Sequence, residues 1–533
     1  MNKKSGAYYT PYPLASFISD YLFNRLSPRD KVIKILEPSC GEGVFLKAIS
    51  QSFWDIDFKV DAVEYNKEAA VYSQKLADNL LLDCNVEQAD YLTWSFDNAN
   101  TYDLVVGNPP YISKKLLTDE QKELCQNIHA TTDEFGSEIH NIWTSFLADG
   151  INRLNEKGIL AFVLPAELLK VKFGEKIQKE LLNKFQRIEI FTFSTNVFPN
   201  IEQDTIILFL YKQSKQEGLY FTTINSTTCL IKNRFKLKRK RSLEKMKLKW
   251  SSYPLLEKQI KKIGQIKRKI PSITDYCETI PGIVTAANNY FIATKTTVDE
   301  YELEEISKPI IQKGIYINGC VTLSESKLGK LISDDKPAFF LDFSKTDFTN
   351  SKHKEYLERG KECKIHQRYK CTLRDKWYEV PGAWISEGFF FKRCHGYPKF
   401  IFNEASALVT DASYRVKVKE GYDIKSLIFS FYNSMTLAFS ELQGRYYGGG
   451  VLELTPNEFK TLPIPYIEIS EESFANFVEA FHKKRSIEEI LEVNDQLLLE
   501  ENLGFSAEEI GLLRDVRTSL LSRRLSISKS QLI

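Results

Sequence analysis

The 533-residue sequence contains no CxxC pair and almost no net charge. It also contains no run of about 18 uninterrupted apolar residues. The last absence argues against a membrane-spanning helix. The nine cysteines are odd in number and scattered, which argues against a disulfide framework and for a reduced, intracellular protein. The N-terminus, MNKKSGAYYTPYP, has two lysines but no apolar stretch behind them, so it does not read as a secretory signal. Cys363, His366, Cys371, Cys394 and His395 form the densest group of metal-ligand types, but their spacing matches no standard zinc pattern. They are expected to be free thiols and surface histidines, and no metal is expected. Lys and Arg number 72 against 70 Asp and Glu, a balance of +2 that on its face disfavours a polyanionic partner. An average can conceal segregated charge, however.

A 43% hydrophobic share with 13% aromatics is enough to bury a sizeable core. At roughly 100–200 residues per domain, the length predicts two to four domains. Residues 13–26 carry apolar side chains at helical spacing. Apolar strands are then expected at 32–36, 58–63, near Val86, at 102–107, 159–164, 187–193 and 205–212. Helices fall between most of them, at 66–80, around 138–154 and at 175–185, and a polar loop is expected after residue 111. Strands alternating with helices imply an α/β fold, a mostly parallel sheet covered on both faces. Such sheets bind ligands outside the carboxyl ends of their strands.

Two motifs fall on that edge. After the first strand comes Glu37-Pro38-Ser39-Cys40-Gly41-Glu42-Gly43, whose glycines permit close backbone approach to a ligand. The second strand ends in Glu64, 21 residues after Gly43, where a carboxylate can accept from both ribose hydroxyls of a nucleoside cofactor. Asp90 follows the third strand and could accept from an adenine amino group, with Tyr91 packing on the ring. The fourth strand ends in Gly107-Asn108-Pro109-Pro110-Tyr111. Two prolines stop the strand sharply. The Asn108 side-chain carbonyl and the Pro109 carbonyl could hold both hydrogens of one planar NH₂ group. Tyr111 offers a flat face for a heterocycle. This is catalysis by orientation and electrostatic positioning.

The segments EPSCGEG, AVEYN, QADY and GNPPY, in this order, resemble the S-adenosylmethionine-dependent N6-adenine DNA methyltransferases, and their order resembles the TaqI-like (gamma) subgroup. The resemblance implies a Rossmann-like class I methyltransferase domain with a mostly parallel seven-stranded sheet. A mixed α+β target-recognition region and C-terminal helices would follow. The expected domains are 1–225 for methyl transfer, 226–270 as a basic linker, 271–466 for target recognition and 467–533 as a helical segment.

Carried over residue by residue, the resemblance implies that Thr10, Glu37, Pro38, Gly41 and Gly43 hold the methionine part of S-adenosylmethionine. Glu64, Asp90 and Tyr91 would hold its adenosine part. Asn108, Pro109, Pro110 and Tyr111 would be catalytic. Phe198, within Asn196-Val197-Phe198, would stack on the other face of the base. Later segments (282–288, 377–378, 411–415, 447–450 and 462–465) resemble landmarks of restriction–modification target-recognition domains. The implied activity is site-specific adenine methylation of duplex DNA within a restriction–modification system. The enzyme would act as a monomer on DNA in the bacterial cytoplasm, with no membrane partner. A target base in a duplex would have to flip out of the stack.

The near-zero charge then resolves into parts. Between Lys232 and Lys269 there are sixteen Lys/Arg against two acids, a balance of +14 that leaves −12 elsewhere. The segment KNRFKLKRKR, with Lys238, Arg239, Lys240 and Arg241, could track DNA phosphates. Arg368, Arg374, Arg393, Arg415 and Arg445 are base-reading candidates by residue type alone. Scattered ExK triplets such as Glu325-Ser326-Lys327 have no arranged partner. The chain starts at the cofactor segment, so any cognate restriction endonuclease is expected to be a separate protein. Competing readings are an RNA or protein-glutamine amide methyltransferase using the same NPPY site, and a catalytically silent DNA-binding subunit.

Overall fold

Residues 10–26, 32–53, 55–194, 204–245, 249–346, 348–447, 450–483 and 485–525 are described by a computed structural model. The chain divides into two units after Gly264. The first is built on one sheet with strands β1 (Ile33–Glu37), β2 (Phe58–Glu64), β3 (Cys84–Gln88), β4 (Tyr102–Gly107), β5 (Leu154–Pro165), β6 (Arg187–Phe193), β7 (Thr205–Tyr211), β8 (Gly218–Ile224) and β9 (Lys238–Arg239). Their spatial order is β3-β2-β1-β4-β5-β7-β6-β8-β9. The run from β3 to β5 is parallel. β7 inserts antiparallel between β5 and β6. The expected seven strands are present. Two more extend the edge, because Gly218–Ile224 pairs in parallel with β6 and the short β9 pairs with β8.

β4 and β7 are buried along their whole length, as strands covered on both faces must be. Helix α1 (Tyr12–Phe23) lays Leu14, Phe17, Ile18, Tyr21 and Leu22 into a core shared with Phe191 and Phe209. Helices α2 (Val44–Ser52), α3 (Lys67–Asn79) and α4 (Tyr91–Asp97) follow β1, β2 and β3. A further helix, α5 (Asp119–His129), occupies part of the stretch expected to be a polar loop. Only Cys125, Ile128 and His129 of it are buried, too sparse a stripe to read as a helix from hydrophobicity. Its start is nevertheless written as a capping box between Thr118 and Gln121.

The stretch expected as a basic linker is packed into the first unit as far as Gly264. Phe235 and Leu237 pack against the α1 core, and Phe235 meets Phe17 and Phe191 edge-on. The intervening Lys232, Arg234, Lys236 and Lys238 are exposed.

The second unit mixes small sheets and helices. Cys277–Pro281, Ser413–Val418, Gly388–Phe391 and Lys399–Phe402 form one antiparallel sheet in that order. Ile292–Ala293, Phe339–Leu341, Ser307–Ile311 and Leu408–Val409 form another. Tyr290 and Phe291 end the short helix Asn288–Phe291, and the strand that follows it is only two residues long. The helices Glu471–His482, Ile487–Asp495 and Ala507–Leu525 close the unit. The last is pinned to the buried Glu441 by Arg524 at 2.7 and 2.9 Å.

Candidate active site

The carboxyl ends of β3, β2, β1 and β4 lie side by side, and each delivers one of the expected residues. β1 ends on Glu37, which is 0% exposed, and neither of its carboxylate oxygens has a hydrogen-bond partner among the described residues. Burial, and secondarily the charge of Glu64, holds its pKa well above the ordinary carboxylate value. An orphaned buried carboxylate is costly to ionise unless a cation or donor joins it.

After Pro38 the backbone turns through Gly41 (φ +54°) and Gly43 (φ +73°), conformations that L side chains rarely adopt. A Cβ on Gly43 would also meet the Leu76 and Ser73 side chains at 3.0 and 3.1 Å. Glu64 braces this turn from β2: Oε2 accepts from the Gly41 amide at 2.8 Å and Oε1 from the Asn66 amide at 2.8 Å. Ser73 adds a hydrogen bond to the Gly41 carbonyl at 2.6 Å. A carboxylate has about four lone-pair sites, so Glu64 retains capacity for further donors.

Asp90 caps α4 by accepting from the Leu92 amide at 2.9 Å. Its other oxygen accepts from Gln121 Nε2 at 3.0 Å. Gln121 was not anticipated from the sequence, although the capping box that holds it was visible there. Tyr91 departs from expectation. It is 3% exposed, stacks on Phe146 and Trp94, and donates its hydroxyl to Asp149, so it belongs to the core. Among the described residues, an exposed aromatic at this edge is Tyr65, next to Glu64, at 70% exposure.

β4 delivers Asn108. Its amide nitrogen donates to Thr10 Oγ1 at 3.1 Å, which turns its Oδ1 toward Tyr111. The Tyr111 hydroxyl lies 2.9 Å from Asn108 Oδ1 and 3.1 Å from the Val163 carbonyl, two acceptors for one proton. Ser39 donates to the Asn108 backbone carbonyl at 3.2 Å and ties the glycine turn to the tetrapeptide. Pro109 is buried and Pro110 half-buried. Thr10, Glu37, Glu64, Asp90 and Asn108 are thus brought to one edge, three of them carboxylates. Residues 6–9 and the Asn196-Val197-Phe198 segment lie outside the described residues, as do Gly448 and Gly449.

The basic candidates separate by environment. Lys238 and Arg241 are exposed. Arg239 pairs with Glu244 at 2.8 Å. Lys240 is buried and donates to the Leu255 carbonyl at 2.6 Å, so it holds the fold rather than facing solvent.

Two family models match the chain. The Eco57I restriction-modification methylase matches residues 45–198, and the C-terminal domain of type II methyltransferase M.Eco57I matches residues 247–499. Together they cover more than half of the sequence. The chain is 23% identical over 491 residues to the type II methyltransferase M.AccI of Acinetobacter calcoaceticus, covering 86% of this chain and 84% of that protein. It is 22% identical over 583 residues to M.BanIII of Aneurinibacillus aneurinilyticus, covering 95% and 98%. Among solved structures, the type IIL restriction-modification enzyme MmeI in complex with DNA aligns with a TM-score of 0.57 at 12% identity. That alignment covers 92% of this chain and 73% of MmeI and supports a shared fold.

Proposed function

We propose that this chain, a restriction–modification DNA methyltransferase by its two family matches, methylates the N6 amino group of adenine in duplex DNA, using S-adenosylmethionine. The observation that carries this reading is the convergence of Glu37, Glu64, Asp90 and Asn108 on one sheet edge. Three carboxyl groups on that edge, one of them the Glu37 whose ionisation burial disfavours until a cation joins it, suit a cofactor bearing a sulfonium and an ammonium. The orphaned Glu37 would take the ammonium, with Thr10 and the 38–43 turn around the methionine part. Glu64 would accept from the ribose hydroxyls and Asp90 from the adenine amino group, while Tyr65, rather than Tyr91, would cover the ring. S-adenosylmethionine supplies an electrophilic methyl group.

The target adenine would leave the duplex at a cost of about a few kcal/mol. Contact with Tyr111 offsets roughly 1–3 kcal/mol of that. Asn108 Oδ1 and the Pro109 carbonyl would accept the two amino hydrogens and bring the nitrogen lone pair out of conjugation, facing the methyl group. Transfer then needs no covalent enzyme intermediate. Relatives named as type II methyltransferases support DNA as the substrate, and MmeI, of similar fold, was solved on DNA. A separate cognate endonuclease belongs to the same reading.

The test is modification-sensitive sequencing of plasmid DNA treated with the protein and S-adenosylmethionine. N6-methyladenine at one recurring sequence is expected. Methylation confined to RNA or to protein, or absent from all three, would overturn the reading.

A further inference from the structure

Of the five arginines that could read bases by residue type, three are engaged within the second unit and a fourth, Arg393, is exposed but paired with an acid. Arg374 donates to the carbonyls of Val284 and Thr285 at 3.0 Å each, and to that of Trp377 at 3.2 Å. Arg415 donates to the carbonyls of Pro281 and Gly382 at 2.8 and 2.6 Å, and lies over the Trp384 ring. Arg393 and Arg445 pair with Glu453 and Glu458 at 2.9 Å. Arg368 differs. It is exposed, makes one side-chain hydrogen bond among the described residues, to the Ala286 carbonyl at 3.0 Å, and lines a cavity of about 480 Å³.

The cavity wall supplies a mixed set of polar groups: Asn288, Asn289, Arg368, Lys370 and Asp411. Tyr369, which also lines the cavity, is 76% exposed. Ile365 and Cys371 are buried in the core, so the chain between them turns Arg368, Tyr369 and Lys370 outward. Ala286 adopts φ +66°, a strained position for an alanine, and is held there by hydrogen bonds from Arg368 to its own carbonyl and from Arg374 to the two carbonyls before it. Strain kept in place by a dedicated frame is typical of binding sites. Residues 364–376 carry five Lys/Arg against one acid, which favours an anionic partner.

Base edges in a DNA groove call for this chemistry: Arg for guanine, Asn for adenine and Asp for the cytosine amino group, with lysine on phosphate. We propose that the cavity framed by residues 284–289, 368–370 and 411 reads base edges of the DNA target, with Arg368 and Asn289 selecting the sequence and Lys370 contacting phosphate. This rests on the reading of the chain as a DNA methyltransferase.

The experiment compares the full-length wild type with Arg368→Ala, Arg368→Lys, Asn289→Ala and Lys370→Gln on random-sequence duplex DNA, read by modification-sensitive sequencing at several salt concentrations. The Arg368 and Asn289 variants are expected to accept additional bases at one target position each, with discrimination there reduced about ten- to hundredfold. Arg368→Lys keeps the charge but loses the planar fork, so it should relax the same position. It also serves as the readout if the alanine variant fails to fold. Lys370→Gln should keep the target sequence and lower the log–log salt slope by about one. Active Arg368 and Asn289 variants with the wild-type sequence preference would overturn this inference while leaving the methyltransferase reading intact. A wild type that methylates no DNA would overturn both.

Discussion

The Tyr111 hydroxyl sits 2.9 Å from the Asn108 side-chain oxygen, the atom that would hold the substrate amino group. Before any base arrives, Tyr111 and Thr10 together fix how the Asn108 amide points. Asn108→Ala should therefore bind cofactor normally but lose turnover by about a hundredfold or more, because its contribution is positioning. Tyr111→Phe keeps the ring and should cost less than about tenfold, whereas Tyr111→Ala should approach the Asn108→Ala loss. Single-turnover rates check all three. Near-normal turnover in Asn108→Ala would remove this mechanism.

Glu37 predicts a pH dependence of the cofactor-free protein. Its folded-state pKa lies above the unfolded value, chiefly through burial and then through Glu64. The folded protein thus keeps a proton that the unfolded chain releases. The resulting stability is full below the unfolded pKa and is lost as pH rises through the folded one. From about pH 5 upward the Glu37→Gln variant should gain stability relative to wild type, measured by denaturant midpoint without cofactor. The same variant should bind S-adenosylmethionine more weakly by calorimetry. Unchanged affinity would mean that Glu37 does not face the cofactor's ammonium.

His129 acts with the opposite sign. Burial lowers its pKa to about 4, and its two ring nitrogens meet the Gly136 carbonyl and the Thr144 hydroxyl at 3.1 and 3.0 Å. The unfolded chain binds a proton there first, so this stability is present above an unfolded pKa of about 6.5 and is lost as pH falls toward the folded value. His129→Gln should flatten the acid side of the stability profile between about pH 6.5 and 4. A variant whose acid profile retains the wild-type slope would contradict it.

Tyr65 and Tyr91 divide cofactor binding from folding. Tyr65→Ala should raise the cofactor Kd by roughly two- to tenfold, the value of one aromatic contact. Tyr91→Phe should leave Kd unchanged and destabilise the first unit by about 1–3 kcal/mol, because Asp149 loses a buried donor. The reverse pattern in calorimetry and thermal melts would return Tyr91 to the site.

The basic stretch should show the same division. Lys236→Gln and Lys238→Gln, both exposed, should each lower the salt slope of DNA binding by up to about one. Lys240→Met should leave that slope unchanged, since its ammonium is already committed to the Leu255 carbonyl.

Much of this site was legible in the residues because alternating strands and helices put successive strand ends on one edge, whatever the loops do. That rule alone places Glu37, Glu64, Asp90 and Asn108 together. Helix α5 was missed because its buried face is only three residues wide, and Gln121 was missed with it. Of the two added strands at the sheet edge, β9 escaped for a related reason: it is two residues long and consists of Lys238 and Arg239.

The sequence by itself determined the class of chemistry. The EPSCGEG turn, the acid 21 residues beyond it and the NPPY exit are local patterns whose meaning depends on strand-end geometry. Which side chains remain available for that chemistry was decided only by tertiary structure. Tyr65 is exposed while Tyr91 is consumed by Phe146 and Asp149. Arg368 opens onto a cavity while Arg374, six residues on, is spent on backbone carbonyls some ninety residues earlier in the chain. Residue type sets what a side chain can bind. Neighbours distant in sequence use up or spare that capacity, and only folding brings them together.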